Sequence, residues 1–225
     1  MDNEVKNQDL NWEERLNHFE HWVNENKKVL TYVVGGLFAV VAAYLAFTKL
    51  YLEPKAAEAT NQMFMAEKYF AEDSLNLALN GDGNYSGFLQ IMDDYKWSEA
   101  ANLSHYYAGV IFLRQGKFED AKEHLKDFKG KDKMVTNMAN GGLGDAYSEL
   151  GKMDEAIDYY KKAAYHFENE LTTPMFLKKA GMLLEKQNKS EEAKKLYEEI
   201  KLKYPNTVEG REMDKYIARV GGVSS

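Results

Sequence analysis

The chain has no cysteine, only three prolines, and hardly any stretch in which β-branched and polar residues alternate. Without thiols it can form no disulfide and carry no thiol-linked lipid, which excludes a lipoprotein anchor. Pro54, Pro174 and Pro205 leave long segments free to run as helix, and the missing alternation argues against sheet. The chain therefore reads as all-α. Positive charge is in deficit as well: 29 Lys and Arg stand against 36 Asp and Glu, a net charge of -7. Residues 1–55 hold six basic and eight acidic residues, so -5 remains for the rest. Such a balance disfavours nucleic acid and anionic lipid headgroups as partners.

Catalytic signatures are missing too. No G-x-x-x-x-G-K-[ST] loop, H-E-x-x-H helix or nucleophile elbow occurs. Gly141-Gly142-Leu143-Gly144 is glycine-rich, but no strand precedes it, so it reads as structural; its extra glycines weaken a helix by about 1 kcal/mol each. His18 and His21 lie one helical turn apart without a third ligand, and His105, His124 and His166 have no cysteine or paired carboxylates at ligand spacing. Asp93-Asp94, Glu119-Asp120, Glu191-Glu192 and Glu198-Glu199 sit beside lysines three or four residues away, the pattern of solvated helix faces. No catalytic residue, cofactor site or metal site is nominated, and the chain reads as a non-enzyme.

What is present begins with one run of twenty residues without charge, Val29 to Thr48. As a helix it spans about 30 Å, the hydrocarbon thickness of a bilayer, and it lacks the polar stripe of a soluble helix. An acidic leader of nearly thirty residues is unlike a cleaved signal, so residues 29–52 read as a retained signal anchor. Ahead of it, residues 1–28 form an arm with Trp12, Leu16, Phe19 and Val23 on one helical face and Trp22 near the membrane edge, an interfacial amphipathic pattern. Lys27, Lys28 and nearby Arg15 before the run, against Lys49 and Lys55 after it, give a weak positive-inside bias, and a short leader is the easier piece to leave behind, so the arm is expected in the cytoplasm and the larger part outside. Pro54 predicts a kink or a new helix start.

Beyond the anchor, helical spacing predicts one helix from Lys55 to Leu79, ended by Asn80-Gly81-Asp82-Gly83. A pattern then recurs: Ala108-Gly109, Phe112, Gly116, Phe118, Ala121, Leu125; then Leu143-Gly144, Tyr147, Gly151, Met153, Ala156, Tyr160; then Ala180-Gly181, Leu184, Asn188, Ser190, Ala193, Tyr197. Small residues at Gly109, Gly144 and Gly181, and at Ala121, Ala156 and Ala193, suit two helices in close approach. Gly116, Gly151 and Asn188 suit a left-handed helix end.

These residues resemble the tetratricopeptide repeat, whose period is about 34 residues. The resemblance implies three helical hairpins over 102–207, an atypical N-terminal capping unit over 53–101, and a C-terminal capping helix with a frayed tail over 208–225. A degenerate copy in the capping unit reads as Leu75, Asn76, Leu79, Gly83, Tyr85, Phe88 and Tyr95. The resemblance also puts the first helix of each pair on a concave side, where Leu103, Tyr106, Val110, Arg114, Met138, Asp145, Glu149, Met175, Lys178, Met182 and Glu185 form a protein-binding groove. Tyr106, Gly141, Val110, Asp145 and Met182 depart from the Lys, Asn and Arg with which such repeats clamp a C-terminal carboxylate. The methionines suit varied apolar segments of polypeptide.

Arm, anchor and acidic repeats together resemble the YfgM-like family of bacterial inner-membrane proteins, ancillary subunits of the Sec translocon. That resemblance implies a membrane-tethered binding scaffold, periplasmic repeats, and partners in the translocon and the periplasmic chaperones. The alternative is a structural protein that self-associates through its repeats or through Gly35-Gly36, serving envelope assembly or division.

Overall fold

The computed structural model describes residues 2–221, so Gly222 to Ser225 of the expected frayed tail lie outside the described residues. Among the described residues there is no strand, only one isolated bridge, between Gly81 and Ser86. The chain divides into two compact units, residues 1–54 and 55–225.

The first unit is helical throughout its described residues. Helix α1 (Asp2–Phe47) carries the arm into the apolar run without a break, since no proline or glycine lies between Asn24 and Lys28. Trp12, Leu16, Phe19 and Trp22 are exposed, with the Phe19 and Trp22 rings stacked 6.3 Å apart, and Val23 is half-buried. A π-helical turn, Thr48–Leu52, follows α1, and α2 (Glu53–Ala71) begins one residue ahead of Pro54. The Glu53 N–H donates to the Thr48 carbonyl, five residues back. That widened turn sits where the Pro54 ring would otherwise strike the preceding turn, and Pro54 falls in the first turn of α2, the second of the two expected alternatives. Among the described residues one helical run, Glu14–Ala71, is long and apolar enough to cross a membrane, and its apolar window is 0 % buried.

The second unit is a stack of helical hairpins: α5 (Glu99–Arg114) with α6 (Phe118–Asp127), α7 (Lys133–Glu149) with α8 (Met153–Tyr165), and α9 (Thr172–Lys186) with α10 (Ser190–Lys203), closed by α11 (Val208–Gly221). Gly116 (φ +73°), Gly151 (φ +74°) and Asn188 (φ +59°) end the three first helices. At each, the next N–H reaches back five residues: Lys117 to Phe112 O (2.9 Å), Lys152 to Tyr147 O (2.9 Å), Lys189 to Leu184 O (2.9 Å). This is the Schellman ending that the Gly, Gly, Asn series predicts.

The same ending closes α2. Asp73 has φ +57°, and Ser74 N donates to Tyr69 O at 2.8 Å. The helix expected to run from Lys55 to Leu79 is therefore two, α2 and α3 (Leu75–Asn80). The degenerate copy accordingly sits 43 residues ahead of the first full repeat, not 33: Ala66, Asp73 and Ala78 take the places of Gly109, Gly116 and Ala121, while Gly83 falls in a loop. Both alanines are fully buried. The copy was obscured because its second helix is interrupted: α3 and α4 (Phe88–Asp94) flank residues 81–87, which Asp82 organises by accepting the N–H groups of Asn84 (2.9 Å) and Tyr85 (2.8 Å) and the Tyr69 hydroxyl (2.8 Å). Those donors, the Tyr85 N–H first, hold the Asp82 carboxyl below the usual range.

Close approach explains the small residues. A Cβ on Gly109 would lie 2.5 Å from Leu125, on Gly144 2.5 Å from Tyr160, and on Gly181 2.4 Å from Tyr197, each on the second helix of its own hairpin. The extra glycines of α7 face two further neighbours, Gly141 meeting the Phe176 ring at 2.1 Å and Gly142 meeting Leu125 at 2.9 Å. Three glycines thus admit side chains from α9, α6 and α8 around one helix, and the run is structural. Two apolar clusters fill the unit, one from Ala59 to Ala121 and one from Leu125 to Val220, with Leu113 packed against both.

Candidate protein-binding surface

Side chains on the first helices of successive hairpins meet at one-repeat separation. Lys179 of α9 donates to Asp145 of α7 (2.6 Å), Lys178 of α9 to Glu212 of α11 (2.7 Å), and Arg219 of α11 to Glu185 of α9 through two nitrogens (2.8 and 2.7 Å). Each pair is 34 residues apart, so α11 stands where the first helix of another repeat would stand. At the other end, Arg114 donates to Asp73 (3.1 Å) and lies over the Phe70 ring (4.9 Å), tying α5 to the end of α2.

The hydroxyls of the second helices join these pairs. Tyr160 donates to Asp145 at 2.6 Å, on the oxygen that Lys179 also contacts, and Tyr197 donates to Glu185 at 2.5 Å. Burial, reinforced by the adjacent carboxylate, pushes both phenols far above their ordinary range, so they remain donors at every physiological pH. Burial opposes ionisation of Glu185, yet the Arg219 and Tyr197 hydrogen bonds outweigh it and hold the carboxyl low. Similarly, burial disfavours the Lys178 ammonium, and the bond to Glu212 raises it above its ordinary value. Tyr107, stacked on Phe88 at 4.8 Å, is pushed up to about 12 by burial and Glu67.

Most of the eleven residues expected to line a groove thus fall into two sets. Asp145, Lys178, Glu185 and Arg114 are engaged between repeats, and Leu103, Tyr106 and Met175 pack against the apolar clusters. Val110 is half-buried, Glu149 is exposed, and Met138 and Met182 keep 39 % and 47 % of their surface. Those four of the eleven, on α5, α7 and α9, belong to neither set. Sequence reasoning overlooked Lys179, Glu212 and Arg219, although opposite charges one period apart were a visible signal.

His105 and His124, for which sequence spacing suggests no ligand role, form a pair. Nδ1 of His105 and Nδ1 of His124 are 3.3 Å apart, and the His124 ring stacks on Phe112 at 5.2 Å. Burial draws both below the usual imidazole range. His166 is exposed, as are His18 and His21 on α1. Among the described residues no group of three or more His, Cys, Asp or Glu is placed to hold a metal ion.

A protein named "Uncharacterized protein ycf37", from Guillardia theta, is similar to this chain: 33 % identical over 122 residues, a match covering 52 % of this chain and 65 % of that one, just under two thirds of its length. The family described as T7SS, ESX-1 secretion system protein EccA1, N-terminal domain, matches residues 43–213. Because that match takes in every hairpin of the stack and well over half of the sequence, the chain belongs to this family.

Proposed function

We propose that this chain is a non-enzymatic, membrane-tethered scaffold that binds polypeptides on the first-helix face of its repeats. The observation that carries this reading is the contrast along that face: its charges are largely paired between repeats, while Met138 and Met182 remain accessible on consecutive first helices. Flexible thioethers repack around dissimilar apolar segments, so such a face serves varied clients better than one sequence. The unburied apolar run of α1 supports a bilayer anchor over residues 29–52, and the arm at 1–28 is proposed to lie on the cytoplasmic side. Tethering raises local concentration, so modest affinity suffices.

The family description names a secretion system, and the YfgM-like resemblance points toward polypeptide export as well. The partners proposed are therefore the Sec translocon and periplasmic chaperones at the bacterial inner membrane, with the repeats in the periplasm. A photo-crosslinking residue at Met138 or Met182 in native membranes tests this. Adducts with translocon subunits, chaperones or exported chains are expected; adducts with copies of this chain alone would favour the self-associating structural protein. Recovery of the chain in the supernatant after a carbonate wash would remove the tether from the proposal.

A further inference from the structure

The corner between α4 and α5 brings together a recess, an exposed tryptophan and two lysines. A recess of about 340 Å³ opens there, with Met92, Trp97 and Ala101 as its apolar lining and Lys96 and Lys129 among its cations. Trp97 keeps 85 % of its surface, more than any other large apolar side chain described.

The turn itself does not require this tryptophan. Tyr95 and Tyr204 end α4 and α10 with nearly the same backbone (φ -127°, ψ 39° and φ -127°, ψ 45°), and each accepts from the residue three later, Ser98 at 2.8 Å and Thr207 at 3.2 Å. The second corner forms the same turn with Pro205 and Asn206 in the places of Lys96 and Trp97. Asn206 makes the same turn at the second corner, so the fold does not require this ring, which lines the recess and leaves most of its surface open to another molecule.

Lys129 is presented by a fixed backbone. Its N–H donates to Asn102 Oδ1 at 2.8 Å, and its carbonyl accepts from Asn102 Nδ2 at 2.9 Å, clamping the loop after α6 to α5. Neighbouring lysines are engaged: Lys131 pairs with Glu99, Lys126 lies over the Tyr147 ring (5.3 Å), and Lys133 over Phe167 (5.1 Å). Lys96 and Lys129 have no ion-pair partner among the described residues, and Asp127 is the carboxylate of the lining left without one, so one positive charge is uncompensated at the mouth of the recess. This occurs on a unit whose overall balance is acidic.

We infer that this corner is a second docking site, distinct from the first-helix face, for an extended peptide segment that inserts an apolar side chain beside Trp97 and lays flanking carboxylates on Lys96 and Lys129. A concave recess admits a side chain, and the acids Glu99 and Asp127 that share its lining disfavour a uniformly anionic lipid sheet.

The test uses the full chain in phosphatidylcholine vesicles with Trp12→Phe and Trp22→Phe, leaving Trp97 as the sole tryptophan. The probe is the peptide Ser-Glu-Asp-Leu-Phe-Glu-Asp-Ser. A blue shift of Trp97 emission is expected, with affinity at least tenfold weaker for Lys96→Ser/Lys129→Ser and little changed for Lys133→Ser, which lies outside the lining of the recess. The corner is not a peptide site if the analogue with Gln and Asn for the acids binds equally well, if no shift appears, or if phosphatidylglycerol vesicles shift Trp97 as strongly as the peptide. Crosslinking from Met138 is unaffected by these substitutions, so the two sites fail or succeed separately.

Discussion

Gly35 and Gly144 are both helical glycines, yet a methyl group added to Gly35 would meet nothing within 4 Å, while one added to Gly144 would meet the Tyr160 ring at 2.5 Å. The two units differ in this way throughout. In residues 1–54 the apolar side chains face outward and none of those described is buried; in residues 55–225 they converge on cores to which tyrosines also contribute hydroxyl bonds. Identical chemistry thus acts through the solvent around it in one unit and through neighbouring side chains in the other.

Charge and bulk placed in each unit sharpen that comparison. Leu37→Lys puts an ammonium at the centre of the apolar run, a cost of about 3 kcal/mol for insertion, and should release the chain into a carbonate wash while leaving the thermal unfolding of the repeats unchanged. Gly141→Ala drives a methyl into the Phe176 ring, and overpacking of this kind costs about 3 kcal/mol; urea unfolding followed by near-ultraviolet circular dichroism should show it, whereas Gly35→Ala should give no change. Glu185→Ala deprives both Arg219 and the largely buried Tyr197 hydroxyl of their acceptor and should cost about 2 kcal/mol. The exposed pair Lys49 and Glu53, 2.6 Å apart within one helical stretch, is the control: Glu53→Ala should be indistinguishable from the parent in the same unfolding curve.

A smaller effect concerns pH. Burial favours neutral His105 and His124, and for His105 the His124 charge adds to this, while Asp127 opposes it for both, as do Asp120 and Glu123 for His124. Their folded-state pKa values lie below the ordinary 6.5, so the unfolded chain binds protons first as pH falls. Folding carries no penalty from the pair above about pH 6.5 and is progressively penalised below it. Melts at pH 7 and pH 5 should show a stability loss that shrinks in the His105→Gln/His124→Gln variant, with no pH-dependent difference between the two proteins above pH 7.

The repeats were legible because local chemistry writes them. A left-handed residue, a small residue and an alanine at fixed offsets mark each hairpin, and the Gly116, Gly151 and Asn188 turns follow from backbone sterics. The copy at Ala66, Asp73 and Ala78 was harder to read because Asp stands where Gly is expected and a loop splits its second helix. The binding face was legible only as a set of positions. Nothing local to Asp145 or Glu185 distinguishes a residue held by Lys179 or Arg219 from one free to meet a partner.

By itself the sequence determined that the chain is helical, that one run of it is apolar enough for a bilayer, and where the hairpins turn, because these depend on composition and on interactions a few residues long. The tertiary structure decided which charges are consumed between repeats, that His105 and His124 face one another, and that Trp97 stands beside an unpaired Lys129. Those pairings join residues as many as 41 positions apart, and only the packing of helix on helix, within one hairpin for the histidines and between neighbours in the stack for the charges, brings them within reach.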